Sequence, residues 1–308
     1  MNEADLYIAD RMLARQIALM RYTASERKRV LKIFSDMEDE LKARLAKNIT
    51  AIERGRAEKL LKECSAVIDQ FYSEMQDNKD ITALAQDEIE ASEKIITAIG
   101  IDGTLPAPQT VKALTSNTLL YGAPLKDWWA KQAEETAFKF AAQVRQGIAQ
   151  GESLQQIIYR IIGNKRQGTA GIMDIARRHA STLVHDSIMK VTNDARTAFY
   201  QENDDVIRGM MQLSTLDSHT TPICIAYSGA KWDLTGNPIE GNTLPYNGGC
   251  PRHPNCRSII IPIMRSMKEL TGLNIPEKKT GTRASDLGQI KADITFERFL
   301  NMHNDEYV

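Results

Sequence analysis

Apolar side chains recur every three or four positions along the first hundred residues, which is the spacing of one face of an α-helix. The pattern predicts a helix over residues 3–21 and a second helical stretch over 23–75. Within 23–75 there is no proline and a single glycine, so this stretch is one long helix or two helices separated near Asn48 or Gly55. A further helix is predicted at about 80–98. The N-terminal third should therefore form helical arms or a bundle.

Two short sequences carry the capping box that starts many helices. In this motif a hydroxyl accepts a hydrogen bond from a backbone N–H, and a carboxylate or amide three residues later returns a second bond. Thr23 and Glu26 fit the motif, and so do Ser153 and Gln156. We expect one helix to begin next to Thr23 and a short apolar helix to begin next to Ser153.

The pattern changes from helix to strand in the C-terminal half. A long helix is predicted over residues 172–202. Alternating, β-branched and apolar residues then predict strands at 206–216, 231–233 and 258–263. The last strand contains Pro262, which lacks an N–H and therefore suits the edge of a sheet. We expect the first and last of these strands to pair, which would bring together the ends of the irregular chain between them.

These elements predict an α+β fold that is predominantly helical. We divide the chain into a helical arm or bundle at 1–100, a helical connecting region at 101–171, a small α+β module at 172–263 and a C-terminal tail at 264–308. The tail is polar and partly helical, with a weak helix predicted near 285–302.

The charge balance limits the classes of protein to which this chain can belong. Lys plus Arg total 39 and Asp plus Glu total 40, a net charge of −1, whereas proteins that coat nucleic acid over their whole surface carry a basic excess. The hydrophobic fraction of 42% is enough for a packed core. No run of about 18 uncharged apolar residues is present, so we expect no membrane-spanning helix. The first residues contain acids and no apolar signal core, so we also expect no secretory leader.

Three of the four cysteines lie close together in the module. Cys224, Cys250 and Cys256, with His253, offer three thiolates and one imidazole, a ligand set that suits tetrahedral zinc. The spacing of Cys250, His253 and Cys256 allows a tight turn to present successive side chains to one point, and Cys224 would close the site across the long loop. The sequence thus predicts a possible zinc site with these four ligands.

Two other interpretations of the cysteines stay open. Cysteines in a small domain are often simply buried thiols. Two of them could also pair as a disulfide once the protein leaves the reducing cytosol. The spacing does not match a standard finger or ribbon, so the sequence leaves zinc, disulfide and buried thiols as alternatives.

The order of these residues resembles the Mu F-like phage minor head protein family, also called phage head morphogenesis proteins. In that family a long helix ends in an Asn and an Ala-Arg pair, here Asn193 and Ala195-Arg196, before a strand and a two-part cysteine module. The resemblance covers about 172–263. Nine module positions match the family pattern: Asp217, Thr220, Cys224, Gly229, Trp232, His253, Asn255, Cys256 and Arg257.

The sequence departs from the family pattern at three positions. His219 stands where the family usually has an Arg, Thr221 where it often has a second Cys, and Ser258 where it ends in a further Cys. The resemblance implies a structural virion component that lies inside the capsid, contacts the portal protein at the portal vertex and supports head assembly and DNA packaging or ejection. Contact with the major capsid or scaffold protein is a further expectation, and synthesis would take place in the host cytoplasm.

An enzyme and a DNA-binding module are the rival functional classes. His219 near Cys224 and Asp217 invites a Cys–His–Asp interpretation, but no nucleophile motif is present, and Asp217 is more simply a turn residue that accepts hydrogen bonds from following N–H groups. We therefore expect no enzymatic activity. Duplex DNA that accompanies the protein at ejection would need a local basic patch. The candidate phosphate contacts are Lys165, Arg166, Arg252 and Arg257.

Overall fold

The computed structural model describes residues 3–48, 54–77, 80–164, 166–215, 217–265, 282–285 and 288–291. Within these ranges the chain is predominantly helical with a few short antiparallel strands, which confirms the predicted α+β class. The helices are α1 (Glu3–Asn48), α2 (Arg54–Asp77), α3 (Ile81–Thr97), α4 (Pro108–Asn117), α5 (Leu125–Ala149), α6 (Leu154–Ile162), α7 (Ile172–Glu202) and α8 (Pro222–Tyr227). The strands are β1 (Leu119–Leu120), β2 (Ala123–Pro124), β3 (Ile207–Leu213), β4 (Lys231–Trp232), β5 (Ile259–Met264), β6 (Thr282–Ser285) and β7 (Gly288–Lys291).

The chain divides into two compact units, each built from separate stretches of sequence. Unit 1 comprises Met1–Tyr22, Ile81–Thr118 and Ile188–Val308, and unit 2 comprises Thr23–Asp80 and Leu119–Ser187. These units combine stretches that the four-segment division separates, and the segment boundaries stay a prediction.

The first helix is longer than the sequence predicts. The capping box at Thr23 and Glu26 is wrong, because α1 continues through both residues to Asn48. Thr23 is buried in the helix interior, and Glu26 forms an ion pair with Arg29 at 3.0 Å. The apolar positions on both sides of Thr23 keep the helical period, so a continuous helix buries them without needing a cap. Residues 49–53, which separate α1 from α2, lie outside the described residues, so the position of the predicted break stays a prediction.

Unit 2 is held together by apolar and aromatic packing between helices. The Tyr72 ring of α2 makes edge-to-face contacts with Phe34 of α1 and Trp129 of α5, with ring centroids 6.0 and 6.3 Å apart. The Tyr72 hydroxyl lies 2.9 Å from Thr136 Oγ1, so its polar end is also satisfied. Fully burying side chains of this size stabilises a fold by about 1.5–3 kcal/mol each. The helices of this unit therefore owe their positions to a hydrophobic core.

The second capping box is confirmed at the start of α6. The Ser153 side chain accepts a hydrogen bond from the backbone N–H of Gln156, and the Gln156 side chain accepts one from the backbone N–H of Ser153. The helix ends at Gly163, which adopts a positive φ of 81° as the C-cap. A residue with a side chain adopts such a φ only under strain, which explains the glycine.

A three-stranded antiparallel sheet forms the centre of the module in unit 1. Its order is β4-β3-β5, so β5 with Pro262 is an edge strand, as the sequence predicts. The register pairs Leu213 at the end of β3 with Ile259 at the start of β5, which confirms the predicted pairing. The chain between these two residues therefore begins and ends at the same end of strands β3 and β5. This pairing brings the cysteine-bearing segments together.

Unit 1 also contains an ionic network around a fully buried ion pair. Arg196 of α7 donates to Glu88 of α3 at 2.6 Å, and the side chains of both residues are completely buried. Arg15 of α1 donates to the other Glu88 oxygen at 2.9 Å, and the Gln16 amide oxygen accepts from Arg196 at 3.3 Å. The Gln16 amide nitrogen lies 3.4 Å from the carbonyl oxygen of Arg257. The network connects three helices to the chain just after the last cysteine.

The helix predicted near 285–302 is wrong for its first part. Strands β6 and β7 form an antiparallel hairpin in which Ser285 pairs with Gly288. Only two residues separate the paired positions, the loop length of the tightest hairpins, so the chain forms strand here. The remainder of this prediction, from residue 292 onward, lies outside the described residues.

Candidate metal centre

The candidate site lies between helix α8 and a turn that precedes strand β5. Pro222 begins α8, where its missing N–H costs no helical hydrogen bond, and Cys224 is buried in the first turn. The turn from His253 to Cys256 is closed by a hydrogen bond from the Cys256 N–H to the His253 carbonyl at 3.1 Å. Asn255 within it has a φ of 59°, a left-handed conformation that asparagine tolerates better than most residues. The turn thus presents His253 and Cys256 on the side of Cys224.

Three of the four predicted ligands converge on one point. Cys224 Sγ lies 3.1 Å from His253 Nε2 and 3.6 Å from Cys256 Sγ, and the three ligand atoms all lie within 4.8 Å of one another. Two thiolates at about 2.3 Å from a tetrahedral zinc ion lie about 3.8 Å apart, close to the observed sulfur separation. These three residues can therefore hold a metal ion that binds sulfur and nitrogen ligands at such distances.

The disulfide alternative does not describe this structure. All four cysteines lie within the described residues and none of them forms a disulfide bond. The Sγ atoms of Cys224 and Cys256 are 3.6 Å apart, compared with about 2.05 Å for a disulfide.

Cys250 lies next to the other three residues but outside their group. Its thiol is buried, and its sulfur does not belong to the set of ligand atoms that lie within 4.8 Å of one another. Its role as a fourth ligand stays a prediction.

The protonation pattern of the cluster follows from these contacts. The pKa of Cys256 is lowered by its contacts with Cys224 and Cys250. The pKa of Cys224 is raised by its contact with Cys256 and by burial, and the pKa of Cys250 is raised chiefly by burial. Because metals bind thiolates rather than thiols, metal binding would release protons from this cluster.

His253 has a hydrogen bond that orients its ring. Its Nδ1 lies 2.9 Å from the Pro254 carbonyl oxygen, and a proton on Nδ1 would be donated there. In that tautomer Nε2 carries the lone pair and faces Cys224, which is the arrangement that metal-binding histidines usually show.

An ion pair closes the loop beside the cluster. The two terminal nitrogens of Arg257, Nη1 and Nη2, each donate a hydrogen bond to one oxygen of the Asp217 carboxylate. Asp217 also accepts from the backbone N–H of His219 and the hydroxyl of Thr220, each at 3.0 Å. Burial acts to raise the pKa of Asp217, but these bonds and the Arg257 charge outweigh it and hold the pKa below its ordinary value. Asp217 contacts the backbone rather than the ring of His219, so the geometry is that of a turn.

The candidate phosphate contacts fall into different environments. Arg252 is half-buried: its guanidinium lies 3.6 Å from the centre of the Tyr227 ring and donates to Gln212 and to the Tyr246 carbonyl. Arg257 is engaged by Asp217. Arg166 is exposed, and Lys165 lies outside the described residues. DNA contact stays a prediction, and the internal contacts of the first two arginines do not favour it.

Comparison with family models, curated proteins and solved structures returned no match.

A membrane-spanning helix must be both long and apolar. Among the helices in the described part of the chain, none combines the length and apolar character needed to cross a membrane.

Sequence reasoning missed two polar features of the site. The Asp217–Arg257 pair joins residues 40 positions apart, and the Arg252 guanidinium stacks on Tyr227, 25 positions away. Nothing in local spacing indicates such pairs. The only available signal was that an arginine follows each of two closely spaced cysteines by one or two positions.

Proposed function

We propose that this chain is a structural minor head protein of a phage capsid, bound to the portal protein at the portal vertex, and that a zinc ion stabilises its α+β module. The observation that carries the proposal is the convergence of Cys224, His253 and Cys256 between two paired strands. A zinc ion there would join helix α8 to the turn before β5 and so stabilise the chain between the two strands.

The residues that carry the family resemblance support the same proposal through their contacts. The Asn193 side-chain oxygen accepts the Ile260 N–H at 3.0 Å and so attaches α7 to β5. Arg196 forms the buried ion pair with Glu88, and Arg257 pairs with Asp217. These residues connect parts of the module to each other and, through Glu88, to helix α3, so the residues of the resemblance have structural roles here.

Two measurements test the proposal. Mass spectrometry of DNA-filled particles purified from the virus that encodes the chain should detect it together with the portal protein. Its absence from such particles, or full infectivity after deletion of its gene, would contradict the architectural role.

Metal analysis of the purified full-length chain should give about one zinc per chain, as a single site requires. His253→Ala and Cys256→Ser should lose that zinc. Cys64→Ala is the matched control, because Cys64 is a buried cysteine of α2 outside the cluster and its replacement should leave the zinc content unchanged. A wild-type chain without zinc would contradict the metal role and leave the particle test standing.

A further inference from the structure

The three converging residues would occupy three of the four positions of a tetrahedral zinc ion. In such a site every pair of sulfur ligands lies about 3.8 Å apart. The Cys224–Cys256 separation of 3.6 Å meets this requirement. Cys250 does not: its sulfur lies outside the group whose ligand atoms are mutually within 4.8 Å.

A polar groove opens beside the three converging residues. Cys224 and His253 both line it, whereas Cys250 and Cys256 do not. The rest of the lining is polar and includes the side chains of Thr215, Thr221, Asn255 and Ser258. Two ligand residues therefore have one side toward solvent-accessible space, and the buried Cys250 lies away from it.

We infer that the zinc ion is held by three protein ligands, Cys224, His253 and Cys256, and that its fourth position faces this groove and takes an exchangeable ligand. The ligand class is water, replaceable by a small anion. This inference rests on the proposed zinc site. A site closed by Cys250 would have four protein ligands and no exchangeable position, which is the pattern of purely structural zinc.

Cobalt substitution of the full-length protein distinguishes the open site from the closed one. Co²⁺ takes the same ligands, and its visible and thiolate charge-transfer absorption report the number of sulfur ligands and the geometry. Wild type should show two thiolates. Cys250→Ser should leave the charge-transfer intensity unchanged, while Cys256→Ser should lose it together with the metal, as it loses zinc.

Cyanide is the probe of the fourth position. Added to the cobalt-loaded wild-type protein at concentrations that do not extract the metal, it should shift the visible bands in a saturable way. Bands that do not change with cyanide would overturn the open site. A loss of about one third of the charge-transfer intensity in Cys250→Ser would also overturn it, and would show three thiolate ligands. A wild-type chain that takes up no cobalt contradicts the zinc site itself, a result distinct from either of these.

Discussion

The helices of unit 2 and the loop of unit 1 that carries the cysteines are stabilised in different ways. In unit 2, helices α2 and α5 pack through side chains such as Tyr72 and Trp129, and the chain between turns is regular. Over residues 217–258 the chain is mostly irregular; the buried Trp232 ring packs against Tyr227 and Tyr246, and polar contacts hold the part around the cysteines. The Asp217–Arg257 pair and the Cys/His cluster are such contacts.

The difference implies different responses to solution conditions. Hydrophobic burial is spread over many atoms and depends little on pH or metal. A thiolate cluster and a carboxylate depend on protonation and on ligand, so the loop should lose structure under conditions that leave unit 2 unchanged.

The largest effect is expected from Trp129→Ala. This residue is buried in the core of unit 2, and truncating a buried tryptophan lowers the free energy of unfolding by about 3–5 kcal/mol. The loss should be the same with and without a zinc chelator in urea unfolding. Trp128→Ala is the matched control on the same helix, because Trp128 is half-buried and should cost clearly less. A chelator-dependent loss at Trp129 would mean that the two regions are not separately stabilised.

Metal removal is expected to act on the loop alone. A ligand present at one hundred times its Kd stabilises the state that binds it by about 2.7 kcal/mol, and chelation removes this amount. Amide hydrogen exchange should accelerate between Pro222 and Pro254 and stay unchanged in α2 and α5. Equal acceleration in those helices would refute the distinction.

Asp217→Asn is expected to cost about 1–2 kcal/mol at pH 7, since it weakens a charge-assisted pair whose arginine is partly exposed. The pKa of Asp217 is lowered in the folded state, so its contribution is present above the unfolded value of about 3.9 and is lost as pH falls through the folded value. The difference between variant and wild type should therefore shrink below about pH 4. Urea unfolding with chelator present, at pH 7 and below about pH 4, separates this effect from metal loss. An equal difference in unfolding free energy between variant and wild type at the two pH values would contradict the ion pair.

The smallest effect is expected at a helix end in unit 2. Ser153→Ala removes the capping hydroxyl of α6 and should cost about 1 kcal/mol, at any pH between 5 and 8 and with or without chelator. Ser153→Thr keeps the hydroxyl and should stay within a few tenths of wild type. A pH-dependent cost would indicate that polar contacts in unit 2 behave like those of the loop.

Regular elements could be predicted from the sequence because their signals are local. The bounds of α7, the cap at Ser153 and the edge position of Pro262 follow from periodicity and from the chemistry of single residues. The capping box at Thr23 failed because the same local motif occurs within a helix whose apolar pattern continues on both sides.

The site could be predicted only in part, because its geometry depends on distant residues. The identity of Cys224, His253 and Cys256 as a group follows from residue type and spacing. The displacement of Cys250 from that group, and the contact of Arg252 with Tyr227, depend on the path of the loop around β3, which no local pattern specifies.

The buried network of unit 1 has a consequence for the order in which the chain is completed during synthesis. Gln16 contacts Arg257, and the Asp5 carboxylate accepts the backbone N–H of Met264, 259 positions later. Unit 2 needs no residue beyond Ser187, so its sequence has left the ribosome before the last stretch of unit 1, which starts at Ile188. Residues 3–22 are made long before these late partners, Arg257 and Met264, although Glu88 is available to Arg15 earlier. Until then their apolar face is exposed to other chains, which makes this segment the part of the newborn protein most dependent on chaperones.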